Sequence, residues 1–355
     1  MLKRFRSRHR PVVGMDITPS EINILQISQI ENNWCIESFA TEKLPPNTVI
    51  DNQFKNIDAI IHCIKKIIST TSLSGNQVVL AIPDSAIVNK LVQINANLSE
   101  ERIEEAVYLE AAKQFNYPLH EVNLDYVIKG LSIKNKEKKD VLITACRAEQ
   151  VNQRSEAMRC AGLSAQVIEP ESNALERIIF LLTKSIKHHE TKKTIAVLKI
   201  VLLKIQLYVI KENKIIFIHE ESLGNNQWIA TLALQQNLLN RKESLTGWNA
   251  HYQSSSITTI ENLEIIIRQI KKTLQFFYST HATESIEHLF LAGERELLMK
   301  LCQRLPDKVK INVSIANPFA EMLYSAPICS RQVIEKAPSL LVACGLALRG
   351  LQVQP

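Results

Sequence analysis

Apolar and polar residues alternate through residues 12–42 in three runs, 12–17, 22–28 and 34–42, and this alternation predicts a meander of three strands. Pro45 and Pro46 end it. Over residues 53–70 the period changes. Phe54, Ile57, Ile60, Ile61, Ile64, Ile67 and Ile68 recur at helical spacing and give one apolar face. Gly75-Asn76 then turns the chain into a strand at 77–82. The same order returns later in the chain. Strands at 194–200, 204–212 and 214–220 are followed by a helix at 228–239, a polar loop at 243–256, a long helix at 259–279 and a strand at 288–293.

Between the copies lies a piece with its own pattern. Pro83-Asp84 leaves the first unit. A strand at 86–94, a helix starting after Ser99, and strands at 122–130 and 140–146 follow. Ser99 suits the helix N-cap, and Glu100 and Glu101 suit its first turn. The helix carries Ile103, Val107, Ala111 and Phe115 along one stripe, a pattern more often core than groove. A helix at 149–161, a strand at 164–168 and a helix opening at Glu169-Pro170 lead to the polar stretch 184–193. Pro306, Pro318 and Pro327 punctuate the last third, and a helix over 338–349 closes the chain. The predicted division is a basic segment 1–11, first-half core 12–83, inserted subdomain 84–147, the rest of the first core with the connection 148–190, a second half 191–337, and a returning helix 338–355. Three strands, a helix and a strand, twice over, predict an α/β protein with the duplicated β-β-β-α-β-α core of the actin-like folds. The insertion takes the place of a subdomain of the IC type.

Composition narrows the setting. The 355 residues, 46% apolar and 22% charged, suit two domains with a large core. The net charge of +6 is mild and gives no ground for a nucleic-acid partner. It is concentrated in Lys3, Arg4, Arg6, Arg8 and Arg10, which suit a solvated terminus or contact with an anionic membrane surface. No run approaches a membrane span, and no apolar signal segment follows the first charges. The seven cysteines form no CxxC pair, which suits reduced thiols. His188 and His189 point about 100° apart on a helix and would not share a metal ion. A cytoplasmic protein without a metal centre is expected.

The candidate chemistry sits in the turn after each opening strand. Actin-like folds hold nucleotide phosphates there with backbone N–H groups, and a carboxylate at the strand end orients Mg²⁺ through water. The first turn reads Gly14-Met15-Asp16-Ile17-Thr18-Pro19-Ser20. Asp16, Thr18 and Ser20 suit that role, and Thr-Pro-Ser suits an ordinary hairpin turn as well, so both readings stay open. The second turn reads Leu198-Lys199-Ile200-Val201-Leu202-Leu203. Lys199 stands at the aspartate position and Val201 where a glycine is expected. A lysine meets phosphate as a point charge but anchors no magnesium shell. The second half therefore reads as structural.

Several segments carry a resemblance. The opening 14–25, the middle segments 81–94, 98–126 and 141–163, the connection 167–177, and the later segments 274–280, 288–294, 316–322 and 337–350 resemble the PilM family of actin-like type IV pilus assembly proteins, and more distantly FtsA. The resemblance implies a nucleotide cleft for ATP and Mg²⁺ formed by Asp16, Thr18, Ser20, Glu169, Lys199, Gly224 and Gly293. Glu169 falls where actin-like enzymes place a residue near attacking water. It implies docking on the cytoplasmic tail of PilN, in a groove between the first-half core and the inserted subdomain. It implies indirect linkage to PilO and PilP, communication with pilus motor ATPases, and a cytoplasmic location peripheral to the inner membrane. The chain departs from the family pattern at Thr18, at Lys199-Ile200-Val201, at Gly224-Asn225-Asn226 and at Glu294, each where a glycine or aspartate is usual. These departures predict weak or lost nucleotide binding, no catalytic residue and no enzyme activity. The alternatives are an ATP-hydrolysing protein of the same fold, an FtsA-like division protein and a member of a type II secretion-like platform. The short tail after Arg349 lacks the amphipathic helix the division reading needs.

Overall fold

The computed structural model describes residues 12–31, 33–114, 118–184, 194–202, 204–223, 260–326 and 328–352. The basic segment 1–11, Phe115, the stretch 185–193 with His188 and His189, Gly224, and the expected helix 228–239 and loop 243–256 lie outside the described residues.

The chain opens with the meander β1 (Val13–Ile17), β2 (Glu21–Ile30) and β3 (Asn33–Lys43), followed by the two-residue strands β4 (Val49–Ile50) and β5 (Gln53–Phe54). Helix α1 (Ile57–Thr70) begins later than its apolar period suggests. Asn56 caps it by accepting the Ala59 N–H at 3.0 Å, and Phe54 instead closes the small hairpin and stays buried. Strand β6 (Gln77–Ile82) completes this first unit.

The inserted piece comprises β7 (Ile87–Asn95), α2 (Glu100–Gln114), β8 (Val122–Leu131) and β9 (Lys138–Arg147). Its sheet has the order β7-β9-β8. Ile103, Val107 and Ala111 on α2 pack against Val92, Ile94, Val141 and Ile143, so the helical stripe is core. Helix α3 (Ala148–Cys160), strand β10 (Ser164–Pro170) and helix α4 (Glu171–Thr183) return the chain to the first unit.

The second unit repeats the meander as β11 (Thr194–Val201), β12 (Lys204–Lys211) and β13 (Lys214–Ser222). It continues with α5 (Ile260–Thr280), β14 (Ile286–Gly293), α6 (Arg295–Val309), β15 (Asn312–Ile315), β16 (Leu323–Tyr324), α7 (Ser330–Lys336) and α8 (Leu341–Gln352). Pro306, read from the sequence as an end marker, lies inside α6. A proline there deletes one ladder bond. Buried Leu301 and Leu305 anchor the turn around it, and the helix stops at Lys310, whose φ of 56° is left-handed and whose N–H reaches Pro306 O at 2.8 Å.

Among the described residues the sheets have the orders β10-β6-β1-β2-β3-β16 and β13-β12-β11-β14-β15. Apart from the edge strand β16, both follow one plan: an antiparallel meander, then parallel strands added beside its first member. Strand β16 reaches back from the second half to pair with β3 at Cys35 and Ile36. Each sheet has an outer helical layer. Ile60, Ile64 and Met158 cover the first, and Ile267, Ile270 and Leu298 cover the second. Between the sheets, α4 and α8 share one core with Leu25, Val79, Val197, Tyr208 and Phe290. This central layer is what places the two opening strands on either side of one cleft. The fold is the actin-like α/β fold.

Candidate functional site

Side chains alternate across a strand, so each opening strand sends every second residue toward the central layer. Val13, Met15 and Ile17 of β1 face the outer helices, which turns Gly14 and Asp16 inward. On β11, Ala196, Leu198 and Ile200 face outward, while Ile195 and Val197 join the central core. Lys199 is next on that inward face. Strand periodicity alone thus brings Asp16 and Lys199 to opposite walls of one cleft.

The first turn is a hairpin closed on itself. Thr18 N–H donates to Glu21 O at 3.0 Å and Thr18 Oγ1 donates to the same carbonyl at 2.8 Å. That hydroxyl also accepts the N–H groups of Ser20 at 3.3 Å and Glu21 at 3.0 Å. The Ser20 hydroxyl lies 3.3 Å from it. Of the two readings left open by the sequence, this geometry favours the hairpin, because N–H groups wanted by a phosphate already have an acceptor.

Lys199 crosses the cleft. Its Nζ is ion-paired with Glu171, the first residue of α4, and both side chains are buried. The carboxylate also suits the positive end of the helix dipole. Around the pair lies a polar cluster drawn from both halves. The Tyr208 hydroxyl sits 3.2 Å from Asp84 Oδ2 and 3.4 Å from Glu171 Oε2. Ser172 Oγ donates to Asp84 Oδ1 at 2.5 Å. Burial pushes the Tyr208 phenol well above its ordinary range, and the nearby Asp84 charge adds to this. Burial also raises Asp84, against the hydrogen bonds from Ser172 and Tyr208. At the cleft edge, Glu220 accepts from Lys204 at 2.7 Å, Gln206 at 2.9 Å and Ser85 at 3.0 Å.

Asp16 is buried, and its Oδ2 has no hydrogen-bond partner. Burial raises its pKa above the ordinary 3.8, while Lys199 and Arg154 pull it down. Arg154 is itself buried. Its Nε donates to Ala81 O and its Nη1 to Gln150, and burial lowers its pKa to about 10. A carboxyl with a raised folded pKa contributes most to stability below its unfolded value, and that contribution is lost as pH rises through the folded value. Above the unfolded value the Asp16 carboxyl therefore opposes folding. Asp16→Asn should stabilise the protein at pH 7. The gain should shrink toward pH 3.8 in urea titrations run across pH.

Glu169 has other work than positioning water. Arg177 Nη1 and Nη2 grip its two oxygens at 2.8 and 3.0 Å, and Arg177 Nη1 also donates to Gly345 O in α8 at 2.7 Å. Gly293 is explained by strand packing. A Cβ there would stand 2.3 Å from Ile200 O, and its φ of 130° disfavours any side chain. Glu294 is partly buried, and burial followed by the Glu296 charge raises its pKa. Gly224 lies outside the described residues.

The residues present do not fit a magnesium nucleotide. Asp16 offers one unpartnered oxygen, but a lysine replaces the second carboxylate and is already neutralised by Glu171. Among the described residues, no three His, Cys, Asp or Glu side chains are grouped to hold a metal ion. No described helix is long and apolar enough to cross a membrane.

The family profile described as type IV pilus assembly protein PilM matches residues 14–351. The chain belongs to the PilM family. Among solved structures, it is similar to a PilM-PilN type IV pilus biogenesis complex, with 24% identity, 98% of this chain and 100% of that chain covered, and a TM-score of 0.74. It is also similar to the ethanolamine utilization protein EutJ from Carboxydothermus hydrogenoformans, with 12% identity, 95% and 89% coverage, and a TM-score of 0.50. At these identities the likeness is one of fold. Membership in the PilM family places the chain in type IV pilus assembly.

Glu171, Asp84, Tyr208 and Arg177 were missed as cleft residues in the sequence reading. Tyr208 carried a signal: it stands among Leu207, Val209 and Ile210 in a strand buried on both faces, where a phenol needs a polar partner. Glu171 carried only its place at a helix start.

Proposed function

We propose that this protein is a non-catalytic actin-like scaffold of the type IV pilus inner-membrane platform, and that it binds the cytoplasmic tail of PilN. The observation that carries the reading is the Lys199–Glu171 pair across the cleft. An actin-like enzyme needs carboxylates on both walls to hold a metal-bound phosphate chain, and here the second wall supplies the counter-ion of the first. What the fold still offers is surface. In the order β7-β9-β8 the inserted sheet has two edge strands, and an open strand edge suits an extended peptide. Through PilN the scaffold would connect indirectly to PilO and PilP, and from its cytoplasmic side to the motor ATPases. Its peripheral position at the inner membrane would follow from that tether.

Calorimetric titration tests both halves of the reading. Ile87 and Cys146 are paired across β7 and β9, so residues 87–147 can be replaced by a short linker. The wild type should bind a synthetic PilN tail peptide, and the shortened protein should bind it at least about 100-fold more weakly while staying folded, which corresponds to roughly 2.7 kcal/mol. Mg-ATP at millimolar concentration should give neither binding heat nor phosphate release. Undiminished peptide affinity without residues 87–147 would place the groove elsewhere. Steady phosphate release abolished by Asp16→Ala would make the protein an ATPase.

A further inference from the structure

The hairpin joining β8 to β9 has its polarity inverted. Ser132 is buried, with its Oγ accepting from Gln93 Nε2 at 2.7 Å, while the next residue, Ile133, is 99% exposed. Backbone bonds fix this arrangement. Ser132 N–H donates to Lys138 O at 2.8 Å and Lys138 N–H to Asn135 O at 3.0 Å. Asn135 Oδ1 accepts the Glu137 N–H at 2.9 Å. Just before the tip, β8 is bulged between Ile128 and Gly130, and Gly130 takes a φ of 121° in open space. Leu131 is 60% exposed and Ile128 is exposed as well.

Lysines surround this apolar tip. Lys129, Lys134, Lys136, Lys138 and Lys139 stand against only Glu137 and Asp140, and Asp140 is bonded to Gln93 Nε2 at 3.0 Å. None of the five lysines is ion-paired among the described residues. An isoleucine held out in water beside a lysine cluster serves no purpose in the fold of the subdomain, whose core is on the α2 side of the sheet.

We propose that this hairpin is a foot that rests on an anionic bilayer. Ile133 and Leu131 enter the boundary between headgroups and acyl chains, and the lysines lie in the phosphate layer above them. Two features favour a bilayer over an acidic protein. A specific protein interface buries about 800 Å² on each side, whereas this is a narrow convex tip. Lysines beside protruding aliphatic side chains also match an interface that is charged outside and apolar a few ångströms within. The proposal rests on the scaffold reading for its setting at the inner membrane; its chemistry stands on the hairpin alone.

The test is co-sedimentation of the full chain with vesicles of phosphatidylcholine, with and without phosphatidylglycerol. Binding should require phosphatidylglycerol and weaken with salt. Ile133→Ser should weaken it about tenfold. Lys134→Gln, Lys136→Gln and Lys138→Gln together should weaken it about 100-fold. Because these side chains are exposed, circular dichroism and melting should be unchanged. The same samples are titrated with the PilN tail peptide, whose affinity should not move. Vesicle binding by a wild type that ignores the peptide would leave the foot standing while the tail reading fails. Three outcomes would overturn the foot. The wild type does not distinguish anionic from neutral vesicles. The hairpin variants bind as the wild type does, which would assign the contact to the basic segment 1–11. Polyglutamate competes, with Ile133→Ser having no effect, which would mark a surface for an acidic protein.

Discussion

Lys199→Met is expected to lower the unfolding free energy by about 3–5 kcal/mol, the usual cost of stripping one partner from a buried ion pair. Glu171 would then be left without its cation in a site from which water is largely excluded, with the Tyr208 hydroxyl 3.4 Å away and shared with Asp84. The loss should act between the halves rather than within one, because Lys199 belongs to β11 and Glu171 to α4. Adding Glu171→Gln removes the stranded charge and should restore more than half of the loss. A buried pair is costly to break and nearly neutral to replace, and that asymmetry separates an ion pair from simple packing. Urea unfolding of the wild type, both single variants and the double variant measures the coupling. A coupling below about 0.5 kcal/mol would mean that the two groups do not meet in solution. A coupling of several kcal/mol would show that the pair ties one wall of the cleft to the other.

Lys199 shows what a single sequence reveals and conceals. Its departure from an aspartate was legible, because the meander recurs and the strand position can be counted. Its partner was not, since Glu171 precedes it by 28 residues and only the packing of α4 between the sheets brings them together. The same limit applies to Glu169. Its retention suggested a place near reacting water, but its two oxygens are gripped by Arg177, eight residues on. Thr18 was ambiguous because one hydroxyl serves equally well in a phosphate turn and in a hairpin, and only the hydrogen-bond count separates them. The meanders and the inserted subdomain were legible because alternation and a helical stripe recur over many residues. Helix α6 and strand β16 were not. Pro306 masks the helical period of the former, and the latter is two residues long and exists only by pairing with β3.

Gly345→Ala is expected to cost more than about 4 kcal/mol, a magnitude reserved for a few mechanisms, overpacking of a core among them. A Cβ on Gly345 would stand 2.0 Å from Ala174 O and 2.5 Å from its carbonyl carbon, both backbone atoms of α4 that no rotamer change can move. On its other side α8 is equally confined. A Cβ on Gly14 would lie 2.2 Å from Ala343 O and 2.3 Å from Ala347 N. The helix therefore runs between β1 and α4 with backbone nearly touching backbone on both sides, and it has nowhere to retreat. Intrinsic helix propensity argues the opposite way, since alanine is favoured over glycine by up to about 1 kcal/mol in a helix interior. The sign of the result thus decides between local preference and tertiary fit. Gly350→Ala is the matched control. Its nearest neighbour is the Val12 side chain, at 2.4 Å, rather than the backbone of a packed helix, and a smaller loss than that of Gly345→Ala is expected. Because α8 belongs to the core shared by both halves, displacing it should separate them before it melts them. The outer cores built on α1, α5 and α2 do not depend on it. Gly345→Ala should accordingly keep most of its far-ultraviolet circular dichroism while binding an apolar dye and unfolding in two steps. A single cooperative transition within 1 kcal/mol of the wild type would show that α8 does not make this close approach.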